Sequence, residues 1–333
     1  MAGTGRMVVL ALVLLAAACT GGGGRSAAPR SGTTVTTAPS PGCRTSASEP
    51  PGTSERTMVS GGVERTYQLT IPPTRGAQRP LPVVLALHAL SISFRLTPGL
   101  AGFGDEAAAR HDFIGVAPSG LVDGATPYWI AAPVEGNRDV RFIADLLTQL
   151  EDQLCVDTGR IYATGMSNGG QMSSVLACQL PEEVTAVAPV AGVEFSEGCR
   201  GRPVPVLAFH GTADPIVTYE GGGLNARAIA DTYAWHGDVP DGVPEHHGVD
   251  AAMRTWAAHN GCDGEPVEER AALHVVHRTW RHCEADTELY VVEGGGHAWP
   301  GKPVPQFEAT FGPGTTEIDA TTLIFEFFFA QDG

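Results

Sequence analysis

Basic side chains are scarce in this chain. Lysines and arginines number 21 against 37 aspartates and glutamates, a formal net charge of −16 over 333 residues. Such a surplus repels phosphate backbones and argues against nucleic acid as a partner. Long apolar runs are missing too. Met7 to Leu15 and Leu323 to Phe329 are dense but short, and both fall below the roughly 20 residues that a membrane span needs. No internal repeat is visible, and no Cys/His framework of metal-binding spacing. The adjacent His246 and His247 lie in a polar stretch where a solvated loop is expected and no metal site. What remains is a chain that is 43% hydrophobic and 17% charged, which supplies a sizeable core and excludes global disorder.

The N-terminus carries an export pattern. Arg6 precedes the apolar run Met7 to Leu15, and Ala16-Ala17-Ala18-Cys19 follows, the order of a secretory signal peptide over residues 1–19. Two cleavages fit: an ordinary one after the alanines, or a lipoprotein cut before a lipidated Cys19. Small residues ahead of a cysteine resemble a lipobox, and lipidation at Cys19 is the favoured expectation, with the protein held at the outer face of the cell membrane. Residues 20–56 are Gly, Ser, Thr, Pro and Ala with almost no large apolar side chain. They are expected to form a flexible linker reaching on the order of 30–35 Å.

Cysteine usage agrees with export. Setting Cys19 aside, six of the seven cysteines remain, an even number suited to disulfides in an oxidising compartment. Six allow fifteen pairings. Local spacing suggests Cys178 with Cys199 and Cys262 with Cys283, which leaves Cys43 with Cys155; buried free thiols are the alternative.

Residues 57–330 read as one catalytic domain of the α/β class. Thr57 to Ile71 alternates around Gly61-Gly62, a predicted antiparallel hairpin. Leu81 to Leu87, Phe113 to Ala117, Arg160 to Met166, Val184 to Val190, Val204 to Phe209 and Leu289 to Val292 are short apolar runs, as strands buried on both faces require. Between several of them lie helical stretches at Asp105 to Arg110, Asp139 to Leu154, Gln171 to Leu180 and Asp250 to Ala258, and the apolar tail from Leu323 makes a last helix. Strand–helix alternation predicts a mostly parallel central sheet with helices on both faces.

Three loops carry the chemistry. Gly165-Met166-Ser167-Asn168-Gly169-Gly170 follows a predicted strand and opens a predicted helix, the context of a nucleophile elbow. Only glycine on either side allows so sharp a turn, and the helix N-terminus favours a developing anion. His210-Gly211-Thr212-Ala213-Asp214-Pro215 ends another strand and supplies a carboxylate able to fix a histidine tautomer; a turn-capping Asp214 is the plainer reading. Gly294-Gly295-Gly296-His297-Ala298-Trp299-Pro300-Gly301 follows a third strand and offers His297 as base. The order Ser, Asp, His is that of α/β-hydrolases. The oxyanion hole is expected from the Asn168 N–H and from the loop His88-Ala89-Leu90-Ser91, with Leu90 (or Ala89) as the second donor.

Those strings, together with Ala188-Pro189-Val190-Ala191-Gly192 and Tyr162-Ala163-Thr164, resemble the polyhydroxyalkanoate depolymerase and feruloyl esterase family over roughly residues 57–330. The resemblance implies carboxylic-ester hydrolysis by a serine esterase with no metal or organic cofactor. It also implies a Cys262–Cys283 disulfide and an aromatic residue near the pocket at Trp129, for which a core position is the alternative; Trp299 is a second candidate pocket wall. The chain departs from the family in two places. Ala89 stands where a glycine is usual, which predicts a differently shaped oxyanion loop because alanine resists positive φ. Residues 221–248 are longer than usual and, with Tyr233, Trp235 and His236, are a candidate lid. No segment outside the domain has the make-up of a polymer-binding module, which favours soluble or oligomeric esters as substrates. A degenerate hydrolase acting as a surface-binding lipoprotein is the non-enzymatic alternative.

Overall fold

The computed structural model describes residues 39–45, 49–73, 79–105, 110–124, 126–195, 198–222 and 247–331. The signal segment with Cys19, Trp235 with most of the 221–248 stretch, and the core of the predicted 105–110 helix lie outside the described residues.

Strands β1 (Gly52–Ser60), β2 (Val63–Ile71), β3 (Leu81–Leu87), β4 (Ile114–Pro118), β7 (Val156–Met166), β8 (Ala186–Val190), β9 (Val206–Gly211), β10 (Asp263–Ala272), β11 (Val275–Arg281) and β12 (Thr287–Val292) form one sheet. Its order is β1-β2-β4-β3-β7-β8-β9-β12-β11-β10. The two missing numbers, β5 (Leu121–Asp123) and β6 (Thr126–Tyr128), make a separate two-stranded ribbon. The six central strands, β4 through β12, run parallel. The outer pairs are antiparallel at both edges, with β1 and β2 joined across Gly61-Gly62.

Among the described residues four long helices cover the sheet: α1 (Arg138–Gln153), α2 (Asn168–Gln179), α3 (Val249–His259) and α4 (Ala320–Ala330). Successive side chains of a strand point to opposite faces, and the core divides accordingly. Val83, Leu85 and Leu87 of β3 pack in one cluster with Phe142, Met172 and Trp256 from α1, α2 and α3. Val84 and Ala86 pack in another with Ile324, Phe325 and Phe328 of α4. Each such side chain contributes about 1.5–3 kcal/mol by leaving water, which explains how a four-aromatic tail becomes a core helix. Side-chain caps set two helix starts. The Asn137 carboxamide oxygen accepts from Asp139 N and Val140 N, and the Asp319 carboxylate accepts from Thr322 N; each cap is worth about 1 kcal/mol.

The ordered domain reaches further back than composition suggested. β1 begins at Gly52, inside the stretch read as linker, because its backbone pairs with β2 from Gly52↔Ile71 onward. Earlier still, Ser40 Oγ donates to Leu154 O at 2.7 Å, and Cys43 is bonded to Cys155. The other disulfides are Cys178–Cys199 and Cys262–Cys283. Strands β10 and β11 are absent from the sequence reading. β10 is polar and mostly exposed, and in β11 polar half-buried residues separate the buried Val275 and Trp280, so no apolar run or alternation announces them.

Candidate active site

The functional loops all leave the carboxyl ends of neighbouring parallel strands: His88 after β3, Ser167 after β7, Gly192 after β8, Asp214 after β9 and His297 after β12. In an open α/β sheet that edge is where ligands bind.

Ser167 joins β7 to α2 with φ 57° and ψ −123°. An L-residue held at positive φ is strained, and the surroundings enforce it. Its N–H donates to Val190 O at 2.9 Å and its carbonyl accepts from Gln171 N at 2.9 Å. The flanking glycines are required by contact: a Cβ at Gly165 or Gly169 would lie 2.6 or 2.1 Å from Leu87 O. A Cβ at Gly192 would lie 2.3 Å from Ser167 O. The elbow is therefore wedged between the ends of β3 and β8.

Asp214 and His297 meet across two loops. Asp214 Oδ2 accepts the His297 Nδ1–H at 2.7 Å, the only direction open because a carboxylate donates nothing. Oδ1 accepts from Ile216 N at 2.8 Å and Val217 N at 2.9 Å. His210, fully buried, puts Nε2 3.4 Å from Asp214 Oδ2 and 2.8 Å from Val217 O. Burial pushes the Asp214 carboxyl up, but the charge of His297, hydrogen bonds from His210 and His297, and the charge of His210 together outweigh it and hold the group well below the usual carboxylate range. The two loops are laced together: Ala213 N donates to Gly295 O, and Gly294 N to Thr212 Oγ1, both at 2.8 Å. His297 N donates to Phe311 O at 2.6 Å, which holds the backbone that carries the ring.

The other ring nitrogen, His297 Nε2, is buried and bonds to no described residue, Ser167 Oγ included. Catalytic hydrogen bonds are often long in unliganded sites and tighten only around substrate.

His88 begins the expected oxyanion loop. Its Nε2 accepts from Gly120 N at 2.9 Å, so Nδ1 carries the proton and donates to Ala89 O at 2.9 Å. Burial pushes this imidazole down to about 4, and the ring is neutral. Leu90 N donates to no described residue, whereas Ser91 N donates to Pro127 O. The positive φ in this loop falls at Ser91 (61°) and not at Ala89. Alanine at 89 therefore needs no strained backbone. Asn168, first residue of α2, has no partner for its N–H within the helix.

Both tryptophans expected at the pocket are core residues. Trp129 is 2% exposed; it lies against the His88 ring at 4.9 Å and donates from Nε1 to His88 O at 3.0 Å. The Asn168 carboxamide in turn accepts from Trp129 N at 2.7 Å and donates to Trp129 O at 3.1 Å. Trp129 thus ties the loop after β3 to α2, with its indole on His88 and its backbone on Asn168. Trp299 packs with α4 on the opposite core and donates to Thr321 Oγ1 at 3.2 Å. The bracing roles of His210, Trp129 and the Asn168 side chain escaped the sequence reading. His210 stood in a quoted string, yet only its contact with Asp214 reveals its part.

No protein-family model matches the chain. The chain is similar to feruloyl esterase C of Emericella nidulans, 36% identical over 196 residues that cover 57% of this chain and 67% of that protein. It is also similar to feruloyl esterase B of Piromyces equi, 34% identical over 169 residues, 48% of this chain; the match spans only 29% of that protein's length. Among solved structures, an acetyl xylan esterase from Aspergillus awamori superimposes with a TM-score of 0.56 over 74% of this chain and 94% of its own, at 15% identity. At that identity the likeness speaks for the fold.

Proposed function

The chain has the α/β-hydrolase fold and belongs to the esterase family of feruloyl esterase C, and on that premise we propose that it is an exported serine esterase working through Ser167, His297 and Asp214. The observation that carries the reading is the 2.7 Å contact between Asp214 and His297, on the far side of the β8 end from a serine held at positive φ.

In this mechanism His297 takes the Ser167 proton as the hydroxyl attacks the ester carbonyl. Asp214 fixes the ring tautomer and stabilises the imidazolium. The N–H groups of Asn168 and Leu90 hold the oxyanion. The alcohol leaves with the proton from His297, and water then hydrolyses the acyl-enzyme with His297 again as base. The step uses no metal or organic cofactor. Soluble hydroxyalkanoate oligomers, feruloyl esters and acetyl sugars are the substrate classes to compare, as a member of the depolymerase branch or of the feruloyl esterase branch would divide them. Turnover of a short chromogenic ester by the wild type and its loss in Ser167→Ala is the expected result; retained turnover in that variant refutes the assignment.

Three disulfides support export. Anchoring through Cys19 belongs to the same proposal: radiolabelled fatty acid should follow the wild type and vanish in Cys19→Ala.

A further inference from the structure

Apolar side chains scattered singly over a surface need no explanation. Their distribution here does. Among the described residues, the exposed large apolar side chains all stand at the carboxyl edge of the sheet, the edge that carries Ser167, Asp214 and His297. Leu96 and Leu100 lie on the loop after β3, and Val304 and Phe307 on the loop after His297. Val122 and Val134 lie on the connection from β4 to α1. The hairpin turns reach the same edge. Tyr67 of β2 pairs with Pro118, the last residue of β4, so the turn from Val59 to Val63 lies beyond that end. Val275 of β11 pairs with Val292, the last residue of β12, which puts Leu273 there too. Turns at the opposite edge expose Glu182, Arg200, Arg202 and Glu284 instead. The central tips are joined to each other and to the catalytic base. Lys302 Nζ donates to Gly99 O at 3.3 Å and pairs with Asp105 at 2.6 Å, which ties the loop after His297 to the loop after β3. Phe307 meets Phe311 edge-on at 6.1 Å, and Phe311 lies 6.0 Å from the His297 ring.

Resting on the serine esterase reading, we propose that this rim docks the enzyme on a neutral lipid–water interface and that acylglycerols presented there are its substrates. Charge selects the surface. The bases beside the tips are already engaged: Arg95 with Glu55 at 2.7 Å, Lys302 with Asp105, and Arg270 with Glu293. Glu64, Glu135 and Glu308 stand exposed beside Val63, Val134 and Phe307, with Arg138 near the second. A rim of that sign, on a chain of net charge −16, is repelled by anionic headgroups and tolerates a neutral surface. Shape selects a fluid. A sheet turns by about 20–25° from strand to strand, so the tips follow a curved rim with polar residues between them. A protein partner or a solid polymer face would need a hollow for each tip. A fluid phase closes round them separately, and the attachment grows with the apolar area it covers.

The test uses the full chain with Cys19→Ala, which removes the proposed anchor, and Ser167→Ala, which separates docking from turnover. The protein should float with trioctanoin droplets coated in phosphatidylcholine. Adding Leu96→Asp and Phe307→Asp should lower that partition about tenfold or more, the size of one apolar side chain leaving water. Phosphatidylserine in the coat should weaken it. Absent flotation, flotation unchanged by the two aspartates, or flotation strengthened by phosphatidylserine overturns the proposal. So does tighter adsorption to solid polyester granules than to droplets, or a concentration-dependent dimer that the aspartates dissociate, since either assigns the rim another occupant. With Ser167 intact, tributyrin turnover should rise steeply above the solubility limit, measured relative to p-nitrophenyl acetate turnover in the same sample, and the aspartates should remove the rise. Smooth saturation through that limit overturns the substrate class. If the wild type hydrolyses neither ester, the esterase reading fails, while flotation of the Ser167→Ala chain still decides the docking.

Discussion

Asp214 grips His297 with one carboxylate oxygen and its own loop with the other. Oδ2 accepts from His297 Nδ1 at 2.7 Å while Oδ1 takes the N–H groups of Ile216 and Val217. The carboxylate is thus oriented from behind, and in the proposed triad it in turn orients His297. Asp214→Asn keeps the size and loses the acceptor pair that fixes the tautomer. Its kcat should fall by about 10³–10⁴ with KM little changed, as steady-state kinetics on a chromogenic ester will show.

The same carboxyl sets a sign for acid stability. Its folded pKa lies below the ordinary 3.8, so its contribution is fully present above that value and is lost only as pH falls through the folded one. His88 acts in the opposite chemical sense. Burial lowers it from 6.5 to about 4, so between those values the unfolded chain binds the proton and the folded one does not. Stability should therefore fall as pH drops from 6.5 to 4, by on the order of 3 kcal/mol from this residue. Urea unfolding at pH 7, 5.5 and 4 measures it, and His88→Gln should flatten the slope.

Trp129 joins two halves of the site through His88 O and Asn168. Trp129→Phe keeps most of the packing and orphans the His88 carbonyl. The expected cost is about 1–3 kcal/mol of stability, read by denaturant unfolding. A fall in kcat larger than the fall in 1/KM should accompany it, since the oxyanion loop loses its tie to α2.

The Cys43–Cys155 bond closes a loop of 112 residues and fastens the segment before β1 to the end of α1. Replacing both cysteines by serine should cost about 2–5 kcal/mol and make the chain near residue 43 a site of rapid proteolysis, visible in a limited digest of the oxidised and mutated proteins.

Much of this fold was legible because physics writes it locally. Strands β3, β4, β8 and β9 are buried along their whole length and β7 and β12 over their second halves, so each carries a short, mostly apolar run. The elbow around Ser167 was legible because a sterically extreme turn leaves few residues but glycine on its flanks. Strands β10 and β11 were not legible: the edge strand β10 is polar and mostly exposed, and β11 interleaves His277, Arg278 and Thr279 between its buried Val275 and Trp280, so neither shows a period. Nor were the ties that Trp129 makes to residues 41 and 39 positions away. The start of β1 was hidden for a related reason: Gly52 to Arg56 are polar, and only pairing with β2 orders them.

The central claim is that Ser167 is a nucleophile activated by His297. Intact-mass and peptide mass spectrometry after treatment with a fluorophosphonate tests it most directly. The account predicts one adduct per chain, on the peptide containing Ser167, lost in Ser167→Ala and slowed at least a hundredfold in His297→Ala. An unlabelled wild type, or a label that persists in Ser167→Ala, would contradict it.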